Sequence, residues 1–184
     1  DDFVGEILSS MKVADLGVLT LNAAHGVEVG TELIWEYIEK FELPTIFVVN
    51  QCDHEKADFD LTLEQATNRF GQKLIPFQYP LNQGKGFNQI IDALRMVLYE
   101  FPSDGGKPIK KEIPGSELAR AQKMHNAIVE AAAENDDSLM EHFFESGTLD
   151  EIELAHGLRK GLAKQSLIPV FCCSATKNMG SGRI

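Results

Sequence analysis

Residues 16 to 21, Leu16-Gly-Val-Leu-Thr-Leu21, and residues 45 to 53, Thr45-Ile-Phe-Val-Val-Asn-Gln-Cys-Asp53, decide the fold. Each opens as a short continuous apolar run, the pattern of a strand buried on both faces. The second is rich in β-branched residues, which suit a strand. Between them lie the loop Asn22-Ala-Ala-His-Gly26 and a helix with Val27, Ile34, Ile38 and Phe41 on one face, closed by Pro44. Working outward, Phe3, Ile7, Ser10, Met11 and Ala14 share one face of a preceding helix. After the polar loop Asn50 to Asp60, a further helix turns Leu63, Ala66 and Phe70 inward. Alternating strands and helices predict parallel strands joined by right-handed crossovers, hence a doubly wound α/β sheet.

The character changes near Gly71. Leu74 to Tyr79, Phe87 to Ala93 and Arg95 to Phe101 read as successive strands, with Lys107 to Ile113 as a further candidate. Three helices follow. The first carries Leu118, Ala121, His125, Ile128 and Ala132 on one stripe, and the second has Leu139, Met140, Phe143 and Phe144. The third opens with Thr148-x-x-Glu151, a capping-box pattern, and buries Leu154, Leu158 and Leu162. Leu167-Ile-Pro-Val-Phe171 then returns to a buried strand, followed by Cys172-Cys-Ser-Ala-Thr-Lys-Asn-Met-Gly180. Strands in a run and then helices in a run indicate an α+β unit, inserted into the α/β sheet. The expected division is 1–73 with 167–184 for the α/β part and 74–166 for the insertion.

Composition narrows the classes. The chain has 184 residues, 43% hydrophobic and 24% charged, enough to bury a sizeable core. No apolar run approaches the roughly 20 residues that a membrane span needs, and no secretory signal pattern opens the chain. Three cysteines, two of them adjacent at Cys172 and Cys173, argue against a disulfide framework. A formal net charge of −11 repels phosphate backbones, so direct nucleic-acid binding is not expected. Asp at position 1 and an abrupt end after Gly180-Ser-Gly-Arg-Ile184 read as a piece of a longer chain.

In open α/β sheets ligands bind beyond the carboxyl ends of the strands. Two predicted strands run into polar loops there. In Asn50-Gln51-Cys52-Asp53, a carboxylate can accept the ring N–H and the exocyclic amine of guanine, a pair of donors that adenine lacks, while Asn50 pins the loop. In Ser174-Ala175-Thr176, backbone N–H groups can donate to the guanine oxygen. Asx-rich loops after strands are also common turn chemistry; the pairing of two such loops is the stronger signal. His54, Glu55, Asp58 and Asp60 could approach a cation, but they lack ligand spacing and read first as a solvated acidic loop. Cys52, Cys172 and Cys173 read as small buried apolar residues, and Trp35 as core.

Taken together these residues resemble the G domain of elongation factor G. Asp2-Phe3 with Glu6, Asp15-x-Gly17, Gly26-Val27-Glu28 and Thr31-Glu32 with Trp35 follow that family's order. Asn50-x-x-Asp53, followed by Ala57-Asp58-Phe59, stands at its N-K-x-D motif, and Ser174-Ala175-x-Lys177-Asn178-x-Gly180 at its last nucleotide motif. Phe87 to Asp92 and Asp137 to Glu141 resemble the subdomain inserted in this factor's G domain. The resemblance implies the C-terminal half of a P-loop-NTPase-type parallel sheet with an α+β insertion. It implies GTP or GDP as ligand in the intact protein, a cytoplasmic factor driving ribosomal translocation, and contact between the insertion and the ribosomal stalk protein.

The departures carry equal weight. Gln51 replaces the family's Lys, whose stem covers the base and whose charge braces the P-loop; Thr176 replaces a larger apolar residue. Walker-type G-x-x-x-x-G-K-[ST], the switch Thr for Mg²⁺ and D-T-P-G are not found, and Gly84-Lys85-Gly86 reads as a hairpin turn. The expected guanine-binding set is therefore Asn50, Gln51, Asp53, Ser174, Ala175 and Thr176, with no catalytic residue, no metal ligand and at most very weak guanosine binding by this chain alone. Two functions compete: a GTP-hydrolysing translation factor, and a divergent ribosome-binding paralogue with an impaired nucleotide cycle. A ribosome-protection protein is a third reading, which the large insertion fits less well. The Leu16–Leu21 strand, without proline, lysine or inward charge, is expected to leave an edge open to self-association.

Overall fold

The computed structural model describes residues 4–103 and 106–184. Asp2 and Phe3, invoked for the resemblance and for the first helix, lie outside them. The elements in chain order are α1 (Val4–Met11), β1 (Gly17–Asn22), α2 (Val29–Lys40), β2 (Thr45–Asn50), α3 (Phe59–Phe70), β3 (Leu74–Pro76), β4 (Gln78–Pro80), β5 (Gln89–Asp92), β6 (Val97–Glu100), β7 (Ile109–Lys111), α4 (Gly115–Ala133), α5 (Asp137–Ser146), α6 (Glu151–Ala163) and β8 (Ile168–Cys172). They form a parallel sheet of order β1-β2-β8-β3 and an antiparallel sheet of order β4-β5-β6-β7. The fold is thus the expected α/β class with a second, α+β unit.

β2 lies inside the first sheet, and Thr45 to Val49 are all buried, as its continuous apolar run requires. Trp35 packs edge-on against Phe47, with ring centroids 5.5 Å apart, and tilts onto Phe70 at 5.2 Å. β1 departs from its expected double burial. Among the described residues it is an edge strand bonded to β2 alone, and only one of its faces is covered: Leu19 and Leu21 are buried while Val18 remains 55% exposed.

The stretch Leu74 to Tyr79, expected as one strand, is two. Leu74–Pro76 runs parallel to β8 and completes the first sheet, and Gln78–Pro80 opens the second. Phe77 joins them: its N–H donates to Val170 O at 2.9 Å and its carbonyl accepts from the Ala93 N–H at 2.9 Å. One apolar core runs from Leu19, Phe47 and Val170 of the first sheet to Tyr79, Ile91 and Leu98 of the second. The two sheets therefore share an interior.

The helical layer differs from its sequence reading in detail. The capping box of α6 is Asp150 with Glu153, not Thr148 with Glu151: Asp150 Oδ1 accepts from the Glu153 N–H and Glu153 Oε2 from the Asp150 N–H. Leu118, placed on the stripe of α4, and Phe144 of α5 are exposed. On α6, Gly157 and Gly161 are buried whereas Leu154, Leu158 and Leu162 are half-buried. A Cβ on Gly157 would collide with the Ala132 carbonyl of α4, and one on Gly161 would lie 2.5 Å from Asn135 Nδ2. The glycines let the helices approach closely. His125 is half-buried, its Nδ1 donating to Ala93 O at 2.9 Å. No described helix is long and apolar enough to cross a membrane.

Candidate functional site

Parallel register brings the ends of three strands to one edge of the sheet. Asn22 of β1 stands opposite Asn50 of β2, and Val49 opposite Cys172 of β8. The chain beyond each strand then reaches its neighbour. The Ala23 N–H donates to Asn50 O at 2.9 Å, the Cys173 N–H to Val49 O at 3.0 Å, and the Cys52 N–H to Cys173 O at 3.2 Å. Gln51 adopts a left-handed φ of 63°, which is uncommon for a non-glycine residue and turns the loop sharply off the strand.

Asn50 joins the two loops singled out in the sequence. Its Oδ1 accepts from the Gln51 N–H at 2.8 Å and from the Ala175 N–H at 3.0 Å, with the Cys173 thiol donating from 3.4 Å. One side-chain oxygen therefore sets the spacing between residues 50–53 and 174–176. The three thiols beneath are buried and free. Burial first, then the neighbouring Cys52, pushes the Cys173 thiol up to about 12, and burial raises Cys172 as well. Cys172 and Cys173 are therefore neutral packing groups, since the thiolate is the reactive form.

Asp53 is partly buried, and its Oδ2 lies 3.7 Å from Lys177 Nζ. Half-exposed ion pairs of this length are weak, so the carboxylate keeps its capacity to accept two parallel N–H groups. Gln51 is exposed and accepts from Asn22 Nδ2 at 3.2 Å. The Ser174–Thr176 amides divide. The Ser174 N–H donates to Met179 O at 2.9 Å and the Ala175 N–H is taken by Asn50. That leaves the exposed Thr176, whose N–H has no acceptor among the described residues.

All six expected residues thus lie on one rim, and the amides of two of them hold the rim together instead of facing outward. Asn22, Lys177 and the connection between β4 and β5 were not in the expected set. The last reaches the rim because the chain passes from the first sheet to the second at Phe77, a tertiary arrangement with no periodicity or spacing to announce it. The acidic residues after Asp53 are occupied locally. Asp58 caps α3 by accepting from the Leu61 N–H, Asp60 pairs with Arg120, and Glu55 pairs with Lys85. Among the described residues no group of three or more His, Cys, Asp or Glu could hold a metal ion. Two hollows, of about 450 Å³ beside α6 and about 420 Å³ along the open edge of β1, are lined by other residues.

The family model described as the elongation factor Tu GTP binding domain matches residues 1–183. A crystal structure of a protein from Thermus thermophilus superimposes with a TM-score of 0.88 at 29% sequence identity. The match covers 97% of this chain and 26% of that one, so the chain spans about a quarter of that protein's length.

Proposed function

Because the chain belongs to the family of elongation factor Tu GTP-binding domains, we propose that its strand-end rim reads the guanine base of a GTP-dependent translation factor. Asp53 accepts the guanine ring N–H and exocyclic amine, and the Thr176 N–H donates to the guanine oxygen. Asn50, Ser174 and Ala175 hold the two loops in register, and Gln51 borders the base. The observation that carries this reading is the double acceptance at Asn50 Oδ1, which makes two loops more than a hundred residues apart into one site. Adenine offers an acceptor where guanine has its ring N–H, so it would leave the Asp53 carboxylate facing a lone pair.

Phosphoryl transfer depends on groups that cradle the phosphates and hold Mg²⁺. This sequence carries neither motif, so hydrolysis of GTP belongs to residues of the intact factor outside it. The parallel sheet serves as the second half of a G domain, 1–73 with 167–184, to which Leu74–Pro76 of the inserted 74–166 unit lends a strand. The insertion favours an elongation factor G type of protein, acting in the cytoplasm on the ribosome and meeting its stalk protein through the α4–α6 layer. Where no other strand of its polypeptide covers β1, that edge pairs with a second copy.

A divergent paralogue with a weakened nucleotide cycle is the second reading. Gln51 in place of a cation and Thr176 in place of a larger apolar residue favour it. The test of the base reader is Asp53→Asn in the intact factor. It should lower the preference for guanosine over xanthosine diphosphate by about tenfold or more, since a site built around a hydrogen-bond pair rejects the mismatched partner. An unchanged preference would assign base reading to another loop.

A further inference from the structure

The connection between β4 and β5 touches the Asn50–Phe59 loop at both of its ends. It is rigid in itself. Asn82 donates through Nδ2 to Gly86 O at 2.6 Å and to Asn88 Oδ1 at 3.0 Å, and its Oδ1 accepts from the Gln89 N–H at 3.0 Å. Phe87, 1% exposed, anchors the segment in the shared core. From this base it reaches outward. The Gly84 N–H donates to Cys52 O at 2.9 Å, and Gln83 Oε1 accepts from the Phe59 N–H at 2.7 Å, satisfying an orphan donor of the first turn of α3. Lys85 Nζ stands 3.3 Å from Glu55, and Lys85 O accepts from Lys177 Nζ at 3.5 Å. Gly84 has φ +79°, so its N–H is aimed at Cys52 by a conformation that a side chain would strain.

We propose that this connection is a positioning element for the base-reading loop, with Gln83 and Gly84 as its positioning residues, so that the inserted unit sets how tightly the loop holds a purine. The proposal rests on the base-reading assignment above and adds its regulation. The two ends of Cys52–Phe59 are tied to a rigid turn of the second sheet, and only the segment between them carries Asp53. The first sheet holds the same ends through the Cys52 N–H to Cys173 O and the Asp58 N–H to Ala23 O. A displacement of the turn therefore strains the segment that carries the carboxylate between two supports. By linkage, a nucleotide bound at the rim must in turn steady the β4–β5 connection by the same free energy. A partner that engages the insertion acquires a route to nucleotide affinity through these side-chain and backbone bonds.

The test uses this chain with Gln83→Ala and Gln83→Glu. Amide hydrogen exchange is followed through residues 52–59, and guanosine and adenosine monophosphates are titrated by NMR. Gln83→Ala should speed exchange at 52–59 roughly fivefold, the worth of one helix cap, leave β6 and β8 unchanged, and weaken guanosine monophosphate binding by a similar factor. Gln83→Glu, which keeps the acceptor, should restore both. Unchanged exchange in Gln83→Ala would overturn the proposal. So would faster exchange with unaltered guanosine monophosphate affinity. An unsubstituted chain that does not prefer guanosine over adenosine monophosphate would instead overturn the base-reading assignment, and the proposal with it.

Discussion

Asn50 and Gln51 divide the work that one Asn-Lys pair does in the resembled motif. Asn50 keeps the structural part, its Oδ1 holding the Gln51 and Ala175 amides. Gln51 keeps the position without the charge, and its side-chain oxygen turns to Asn22. In the intact factor, Gln51→Lys should therefore tighten GDP binding by about 1 kcal/mol, typical of one added charge-assisted contact. Calorimetry showing no gain would mean that the loop has been rebuilt around glutamine, and would favour the divergent reading. The rim residues were legible because each follows a buried strand, where ligands of open sheets bind. The use of the Ser174 and Ala175 amides was not, because backbone bonding depends on how the loops close. Nor was the Lys177–Asp53 pair, which joins the loops after β8 and β2 at a distance no spacing rule encodes.

Strand and helix identities followed from periodicity, and their surroundings followed less well. β1 has the composition of a central strand, yet its alternation of buried Leu19 and Leu21 with exposed Val18 and Thr20 is that of a strand covered on one face. An apolar run cannot say how many of its faces will be covered. Leu74 to Tyr79 reads as one strand until the bonds of Phe77 show it turning between sheets. Thr148-x-x-Glu151 and Asp150-x-x-Glu153 fit the same capping pattern, and the start of the α6 axis selects the second. The α4–α6 contact was hidden for another reason: it is made by absent side chains. Gly157→Ala should cost about 1–3 kcal/mol, since overpacking a tight contact displaces backbone, and urea unfolding reads it directly. A change near zero would mean that α6 can lift from the Ala132 carbonyl without loss. Asp150→Ala, at the α6 cap, serves as the comparison, with an expected cost of about 1 kcal/mol.

At the scale of the whole molecule, one side of β1 has no strand beside it among the described residues. The groove there exposes Val18 next to Ile7 and Met11 of α1. A bare apolar edge is a template for pairing, opposed here by a net charge of −11. Salt screens that charge, with a Debye length of about 8 Å at physiological ionic strength. Light scattering should therefore show self-association that strengthens with salt and disappears in Val18→Lys. A monomer at all salt concentrations would remove this edge as an interface. The reading of guanine by the joined loops is the central claim, and a residue-resolved NMR titration of this chain with guanosine and adenosine monophosphates tests it most directly. The account predicts weak binding, in the millimolar range or about −4 kcal/mol, with shifts confined to the amides of Asn50–Asp53 and Ser174–Lys177 and seen for guanosine alone. Equal shifts with both nucleotides, or shifts centred elsewhere on the sheet, would contradict it.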